Sequence, residues 1–200
     1  ADGVGGAWTS FGEGVAKNET SLFASAQNMV CAEYVNGVVF AQTDNGNLYG
    51  IPYDDFLAES IDLESTYIAH LDCVYQDLAY SVGQGKLFGL AAYGSGADSE
   101  FVVNSINLKG SYFDEELWEQ VDAYQEDWVA GRSGVFGLTL ACDDAGSLYV
   151  MGTSVDEETG EESTAQLWKA ALQTDWSGTV FGPFRMVGET GLSMNYLQSM

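Results

Sequence analysis

Residues 39–50 read VFAQTDNGNLYG, and two later segments repeat their pattern: residues 78–89 read LAYSVGQGKLFG, and residues 138–149 read LTLACDDAGSLY. Each segment begins with an apolar stretch, continues through a polar turn that closes on glycine, and ends near a leucine followed by an aromatic residue. Self-similarity of this kind within one chain is typical of repeat architectures. These three segments decide the fold class that the rest of the chain must fit.

The repeated pattern is that of a β-hairpin. Asn45-Gly46 is a strong hairpin signal, because both central positions of a type I′ turn need positive φ. Gly85 and Gly146 take the same place in the other two copies. The leucine and the aromatic residue that follow each glycine alternate across a sheet, as a strand requires. The sequence therefore predicts three similar hairpins, with a type I′ turn at Asn45-Gly46.

Further strands are predicted after each hairpin. Third strands are predicted at 60–63, 105–108 and 167–172, and fourth strands at 67–71, 117–121 and 184–187. Residues 113–128 also carry apolar side chains at helical spacing, so a short helix there is the alternative to a strand with an insertion. The prediction is about four strands per repeat.

Four-stranded units at a spacing of roughly 40 to 60 residues are typical of propeller blades. We therefore predict an all-β chain, a β-propeller segment of four-stranded antiparallel blades that forms an incomplete arc of about three and a half blades. A lone blade leaves an apolar face uncovered, so the remaining blades of the same longer chain are an expected partner. The isolated arc is expected to associate through its unpaired edges. The predicted parts are an N-terminal strand and loop region at 1–28, blade-like repeats at 29–66, 67–122 and 133–188, and the start of a further blade at 189–200.

Three segments also carry a resemblance to a known family. They are CAEYVNG at 31–37, DLAY at 77–80 and MNYLQSM at 194–200. They resemble blade motifs in the propeller repeat region of large secreted bacterial cell-surface proteins, and the likeness spans most of residues 29–200. The resemblance implies a propeller outside the cell, at the cell surface, with a binding or adhesion role. It brings no catalytic residues with it.

Charge narrows the classes of partner. The chain has 30 acidic and 6 basic side chains, a net charge of −24. Such a surface repels nucleic acids and anionic lipid headgroups, which argues against both as partners. No apolar stretch is long enough to cross a bilayer, so membrane insertion is not expected. Solubility is the simplest explanation of the charge, and cation binding or tolerance of salt is the alternative.

Catalytic motifs find little support. The one histidine, His70, lies in a predicted outer strand, and no nucleophile elbow accompanies it, so a structural role is expected. Paired carboxylates for glycan hydrolysis carry no weight among so many acids. Cys31, Cys73 and Cys142 lie far apart without metal-ligand spacing and are interpreted as small buried hydrophobes. No nucleotide-binding loop is present.

Two acidic features bear on calcium and on propeller enzymes. The turns at 44–49 and 144–149 resemble the Asp-box of sialidase-like propellers, but Gln42 and Cys142 replace its Ser or Thr, and Gly83 replaces the Asp of the second copy. Such boxes are structural even in enzymes. Asp143-Asp144 and the loop at 156–162 offer oxygen ligands for calcium, the one cofactor left open, but the EF-hand spacing is absent, so solvated turns are the preferred interpretation.

Tryptophans give the remaining functional signal. Trp8, Trp128 and Trp176 lie in predicted loops, where an exposed indole could stack on a sugar or a partner side chain, although core packing or covering of the blade edges is the preferred interpretation. The sequence as a whole favours a non-enzymatic extracellular recognition, adhesion or scaffold module with a protein or glycan ligand. The alternative is part of a propeller hydrolase that acts on glycans.

Overall fold

The computed structural model of the chain describes residues 28–58, 61–108, 124–156, 158–176 and 178–193. Strands dominate these residues and assemble into three four-stranded antiparallel sheets and one two-stranded hairpin. The prediction of an all-β chain with four-stranded antiparallel sheets is therefore confirmed. No closed barrel or propeller is detected among the described residues.

The first sheet is a meander whose strands are neighbours in chain order. Its strands are β1 (Met29–Val35), β2 (Val38–Thr43), β3 (Asn47–Pro52) and β4 (Tyr67–His70), and two short helices, α1 (Tyr53–Leu57) and α2 (Leu63–Thr66), connect β3 to β4. The fourth strand is close to its prediction at 67–71. The predicted repeat boundary at 66 and 67 falls inside this sheet, just before β4.

The predicted strand at 60–63 is wrong for its described residues. Asp62 instead caps α2: its Oδ1 accepts hydrogen bonds from the N–H groups of Glu64 and Ser65 at 3.0 and 3.4 Å. An aspartate that satisfies the free N–H groups of a first helical turn favours a helix start over a strand.

The turns of the first sheet differ from the prediction. β1 and β2 are joined by a type I′ turn at Asn36-Gly37, where φ is +48° and +89°. At the predicted type I′ site, Gly46 has a φ of +88° but Asn45 does not lie in the left-handed region. The Gly46 N–H donates to the Thr43 carbonyl at 2.9 Å. The predicted turn type at Asn45-Gly46 is therefore wrong, while the hairpin itself is confirmed.

The second sheet is again a meander in chain order. Its strands are β5 (Asp77–Ser81), β6 (Lys86–Tyr93), β7 (Glu100–Leu108) and β8 (Tyr124–Ser133), with a 3-10 turn at Gly96–Asp98 between β6 and β7. Strand β8 shows that residues 124–128 are not helical, while residues 113–123, including the predicted strand at 117–121, lie outside the described residues. The repeated glycine Gly85 has the expected positive φ, +63°.

The strands of the third sheet are β9 (Phe136–Cys142), β10 (Leu148–Thr153), β11 (Gln166–Ala170) and β14 (Arg185–Glu189), and they lie in the order β14-β11-β10-β9. A hairpin that consists of β12 (Leu172–Asp175) and β13 (Gly178–Phe181) is inserted between β11 and β14. The predicted third strand at 167–172 is therefore divided between β11 and the first residue of β12. The β12–β13 hairpin has no counterpart in the predicted repeat.

By their contacts the described strands divide into two compact units, one with β1–β4 and the other with nearly all of β5–β14. The core of the first unit contains Val39, Ile51 and Phe56. In the second unit, one face of the second sheet packs on the third sheet. The apolar cluster between them comprises Ala79, Phe88, Leu90, Phe101, Val103, Ala130, Val135, Leu140, Leu148, Val150, Trp168, Ala170 and Phe184.

Tyr75 is also buried in this unit, outside the apolar cluster. Gly89 leaves room for its ring, since a Cβ at residue 89 would lie 2.5 Å from a ring atom. The Tyr75 hydroxyl accepts a hydrogen bond from the Asn104 amide at 3.0 Å and donates one to the Glu126 carboxylate. A buried tyrosine with a satisfied hydroxyl ties β7 and β8 together.

Candidate functional site

His70 and the three cysteines hold structural positions. His70 is exposed on β4, and its Nδ1 lies 3.1 Å from the Asn47 Oδ1 on the neighbouring strand. Cys31 is buried, as interpreted from the sequence, whereas Cys73 and Cys142 are half-buried. The three form no disulfide with one another. These side chains do not converge on a catalytic arrangement.

The acidic turns use their carboxylates to hold the main chain. Asp156 Oδ1 accepts hydrogen bonds from the N–H groups of Glu158 and Thr159 at 3.0 and 2.8 Å. These bonds lower the pKa of Asp156. Among the residues that the structure describes, no group of three or more His, Cys, Asp or Glu side chains could hold a metal ion.

Two of the three tryptophans are exposed, which is contrary to core packing, one of the two structural roles preferred from the sequence. Trp128 on β8 is 69% exposed and Trp176 is 98% exposed. Trp8 lies outside the described residues. Tryptophan is enriched among the residues that dominate binding interfaces, so the almost fully exposed Trp176 is the described side chain best suited to contact a partner.

The β12–β13 hairpin presents Trp176 at its tip. Asp175 pairs with Gly178, so Trp176 lies at the turn that joins β12 to β13. At the base, the Gly182 N–H donates to the Ala171 carbonyl at 2.9 Å. The rings of Phe181 and Phe88 meet edge to face at 5.7 Å, which fixes the hairpin to the core of its unit.

An open groove of about 400 Å³ lies at the base of this hairpin. Small-molecule sites in proteins begin at about 300 Å³, so the groove can hold a small ligand or one unit of a larger one. Its walls combine two cations, one amide and several apolar side chains. They are Lys169, Ala171, Gln173, Gly182, Pro183, Arg185, Met186 and Val187.

Lys169 lines the groove, and a hydrogen-bonded network holds its amine on the side of the neighbouring strand β10. Its Nζ donates to the Tyr149 hydroxyl at 2.6 Å and lies 3.6 Å from the Asp143 Oδ2. The Tyr149 hydroxyl in turn donates to the same carboxylate at 3.0 Å. The hydrogen bond to Tyr149 and the charge of Asp143 outweigh desolvation and raise the pKa of Lys169, so it stays cationic at neutral pH.

Asp143 is the anionic end of the same network. Desolvation would raise its pKa, but the hydrogen bond from the Ser147 N–H at 2.7 Å, the Tyr149 hydroxyl and the Lys169 charge together lower it. The pair of Asp143 and Lys169 is exposed by about a third on each side, so solvent screens it. Its effect is to position the amine rather than to add much stability.

The sequence did not lead to this site. The sequence points to Trp176 but predicts neither the inserted hairpin nor the groove. The signal that could have found it is charge: Lys169 and Arg185 are two of only six basic residues in a chain with 30 acidic ones. Their register on adjacent strands becomes visible only once β11 and β14 are paired.

A scan against protein-family models and a search of curated proteins each found no match to the chain. Over the described residues, no helix is both long enough and apolar enough to pass through a bilayer.

Proposed function

We propose that the chain is a non-enzymatic recognition module that acts outside the cell, built on propeller-type blades. The observation that carries the proposal is the exposure of Trp176 on a hairpin added to an otherwise four-stranded sheet. A repeat that needs only four strands for its core gains nothing in packing from an added, fully solvated indole. Binding a partner is the role that such a residue fits.

The propeller part of the proposal rests on the sheets themselves. Three four-stranded meanders follow one another along the chain, and two of them bury their facing sides in one apolar cluster. Blades of a propeller pack in this way. The resemblance to secreted cell-surface proteins supports an extracellular location.

A glycan is the ligand class that the groove supports best. Sugars are bound by apolar or aromatic surfaces combined with a few polar groups, and the groove offers both through Met186 and Gln173. Trp176 adds an exposed indole at the tip of the hairpin whose base borders the groove. The alternative of a glycan hydrolase needs a free carboxyl group at the ligand. Asp77, whose pKa is raised to about 6, instead accepts hydrogen bonds from the backbone N–H groups of Leu78 and Leu140.

The test compares the wild-type protein with Trp176→Ala and Trp128→Ala on an array of immobilised glycans. Trp128→Ala is the matched control, because it removes an exposed indole from another sheet. We expect Trp176→Ala to lower the binding signal about tenfold while Trp128→Ala leaves it unchanged. Equal binding by the wild type and Trp176→Ala, or release of cleaved sugars, would contradict a recognition role for the hairpin.

A further inference from the structure

The strongest unexplained feature of the groove is its pair of basic residues. Lys169 on β11 and Arg185 on β14 are directly opposite each other in the antiparallel ladder. Side chains at opposed positions project to the same face, and like charges there are destabilising. Lys169 alternates with Trp168 and Ala170, which belong to the core, so both cations project away from that core.

The two cations are not equivalent. Asp143 offsets the charge of Lys169 and fixes its amine. Arg185 is exposed, and the described residues include no acid within ion-pair distance of its guanidinium. Arg185 and Lys169 therefore make this part of the surface locally positive, although the protein as a whole has a net charge of −24.

We propose that the groove binds the carboxylate of an acidic sugar unit. This deepens the proposed function and rests on it. The planar guanidinium of Arg185 matches a carboxylate bidentately. Lys169 on the adjacent strand contributes positive charge, although its amine is hydrogen-bonded to Tyr149. The Gln173 amide is available for sugar hydroxyls, and Met186 and Pro183 supply apolar wall.

The charge of the whole chain limits the ligand further. A polyanion such as a heavily sulfated glycan would bring many negative charges against a surface of the same sign. A sugar unit with a single carboxylate has to approach only the cationic groove. The inferred ligand is therefore an isolated uronic acid unit in an otherwise neutral glycan.

The test uses two probes that differ only in the carboxylate, methyl β-D-glucuronide and methyl β-D-glucoside. Binding is measured by titration with NMR chemical-shift changes, for the wild type, Arg185→Gln and Lys86→Gln. Lys86→Gln is the matched control, because it removes a cation of the second sheet that does not line the groove. We expect the wild type and Lys86→Gln to prefer the glucuronide about tenfold, and Arg185→Gln to bind both sugars equally.

Other outcomes separate this inference from the proposed function. Equal binding of both sugars by the wild type would overturn the carboxylate inference and leave sugar recognition standing. Preference for the glucuronide that survives in Arg185→Gln would overturn the assigned site. Binding of neither sugar would also overturn the inference, and the glycan array would then decide the proposed function separately.

Discussion

The carboxyl group of Asp77 links two sheets within the second unit. Its Oδ2 accepts a hydrogen bond from the Leu140 N–H on β9 at 2.8 Å, and its Oδ1 accepts one from the Leu78 N–H at 3.0 Å. Burial raises its pKa from 3.8 to about 6, although both hydrogen bonds act in the opposite direction. Desolvation therefore destabilises the charged carboxylate by more than the two hydrogen bonds stabilise it.

A raised carboxyl pKa makes stability depend on pH. Between about pH 4 and 6 the folded protein binds the Asp77 proton more tightly than the unfolded chain does, so the free energy of unfolding falls as pH rises through this window. The shift corresponds to a loss of about 3 kcal/mol at most. We expect Asp77→Asn to remove this loss, measured as the difference from wild type in urea unfolding at pH 4 and pH 7.5.

The control for this prediction is Asp144→Asn, which neutralises an exposed aspartate of the next sheet. Lowering the pH also relieves repulsion in so acidic a chain, and that general effect is shared by all three proteins. The specific contribution of Asp77 is what remains in the difference. A pH dependence in Asp77→Asn equal to that of Asp144→Asn would contradict the burial effect.

The sequence pattern predicted which repeated glycines have positive φ, but it did not predict where the type I′ turn forms. The positive φ values at Gly46, Gly85 and Gly146 follow from the repeat. The type I′ turn, however, forms at Asn36-Gly37 and not at Asn45-Gly46. At Asn45 the side chain accepts hydrogen bonds from the Thr43 hydroxyl and the Asn47 N–H, which stabilises a different turn, and no dipeptide preference encodes those partners.

At the scale of elements, the β12–β13 hairpin is stabilised by the apolar contacts at its base rather than by the residues at its tip. Phe181 packs against the core of the second unit, while Trp176 contributes almost no buried surface. We expect Phe181→Ala to lower the free energy of unfolding by about 2 kcal/mol and Trp176→Ala by less than about 0.5 kcal/mol. Urea unfolding at neutral pH measures both.

The two variants serve as controls for each other. Equal losses in both would mean that the indole is packed rather than free, and the proposed recognition role would lose its main support. A small loss in Trp176→Ala also ensures that its binding defect on the glycan array reports a lost contact and not an unfolded protein.

Periodicity explains which elements were predictable. Strands that recur in each repeat, such as β4, β7 and β14, were found at or near their predicted positions. The β12–β13 hairpin was missed because it occurs once and interrupts the repeat between β11 and β14. The strand expected at 60–63 failed because the Asp62 cap is a local signal that favours a helical turn over the extended chain.

For the whole molecule, composition and repeat predicted the all-β class and the four-stranded sheets. The propeller remains a proposal, since ring closure depends on how successive sheets pack, and a strand pattern does not specify that. The candidate site was least predictable of all. Trp176 is visible in the sequence, but the pairing of Lys169 with Arg185 arises only from the register of two strands that are separated by an insertion.

The central claim is that recognition resides on the third sheet and its inserted hairpin. Hydrogen exchange followed by mass spectrometry tests it most directly, with and without the glycan that binds most strongly on the array. We expect slower exchange in residues 166–189, which contain β11, the hairpin and β14, because a bound ligand shields this face. Slower exchange confined to other strands, with 166–189 unchanged, would contradict the account.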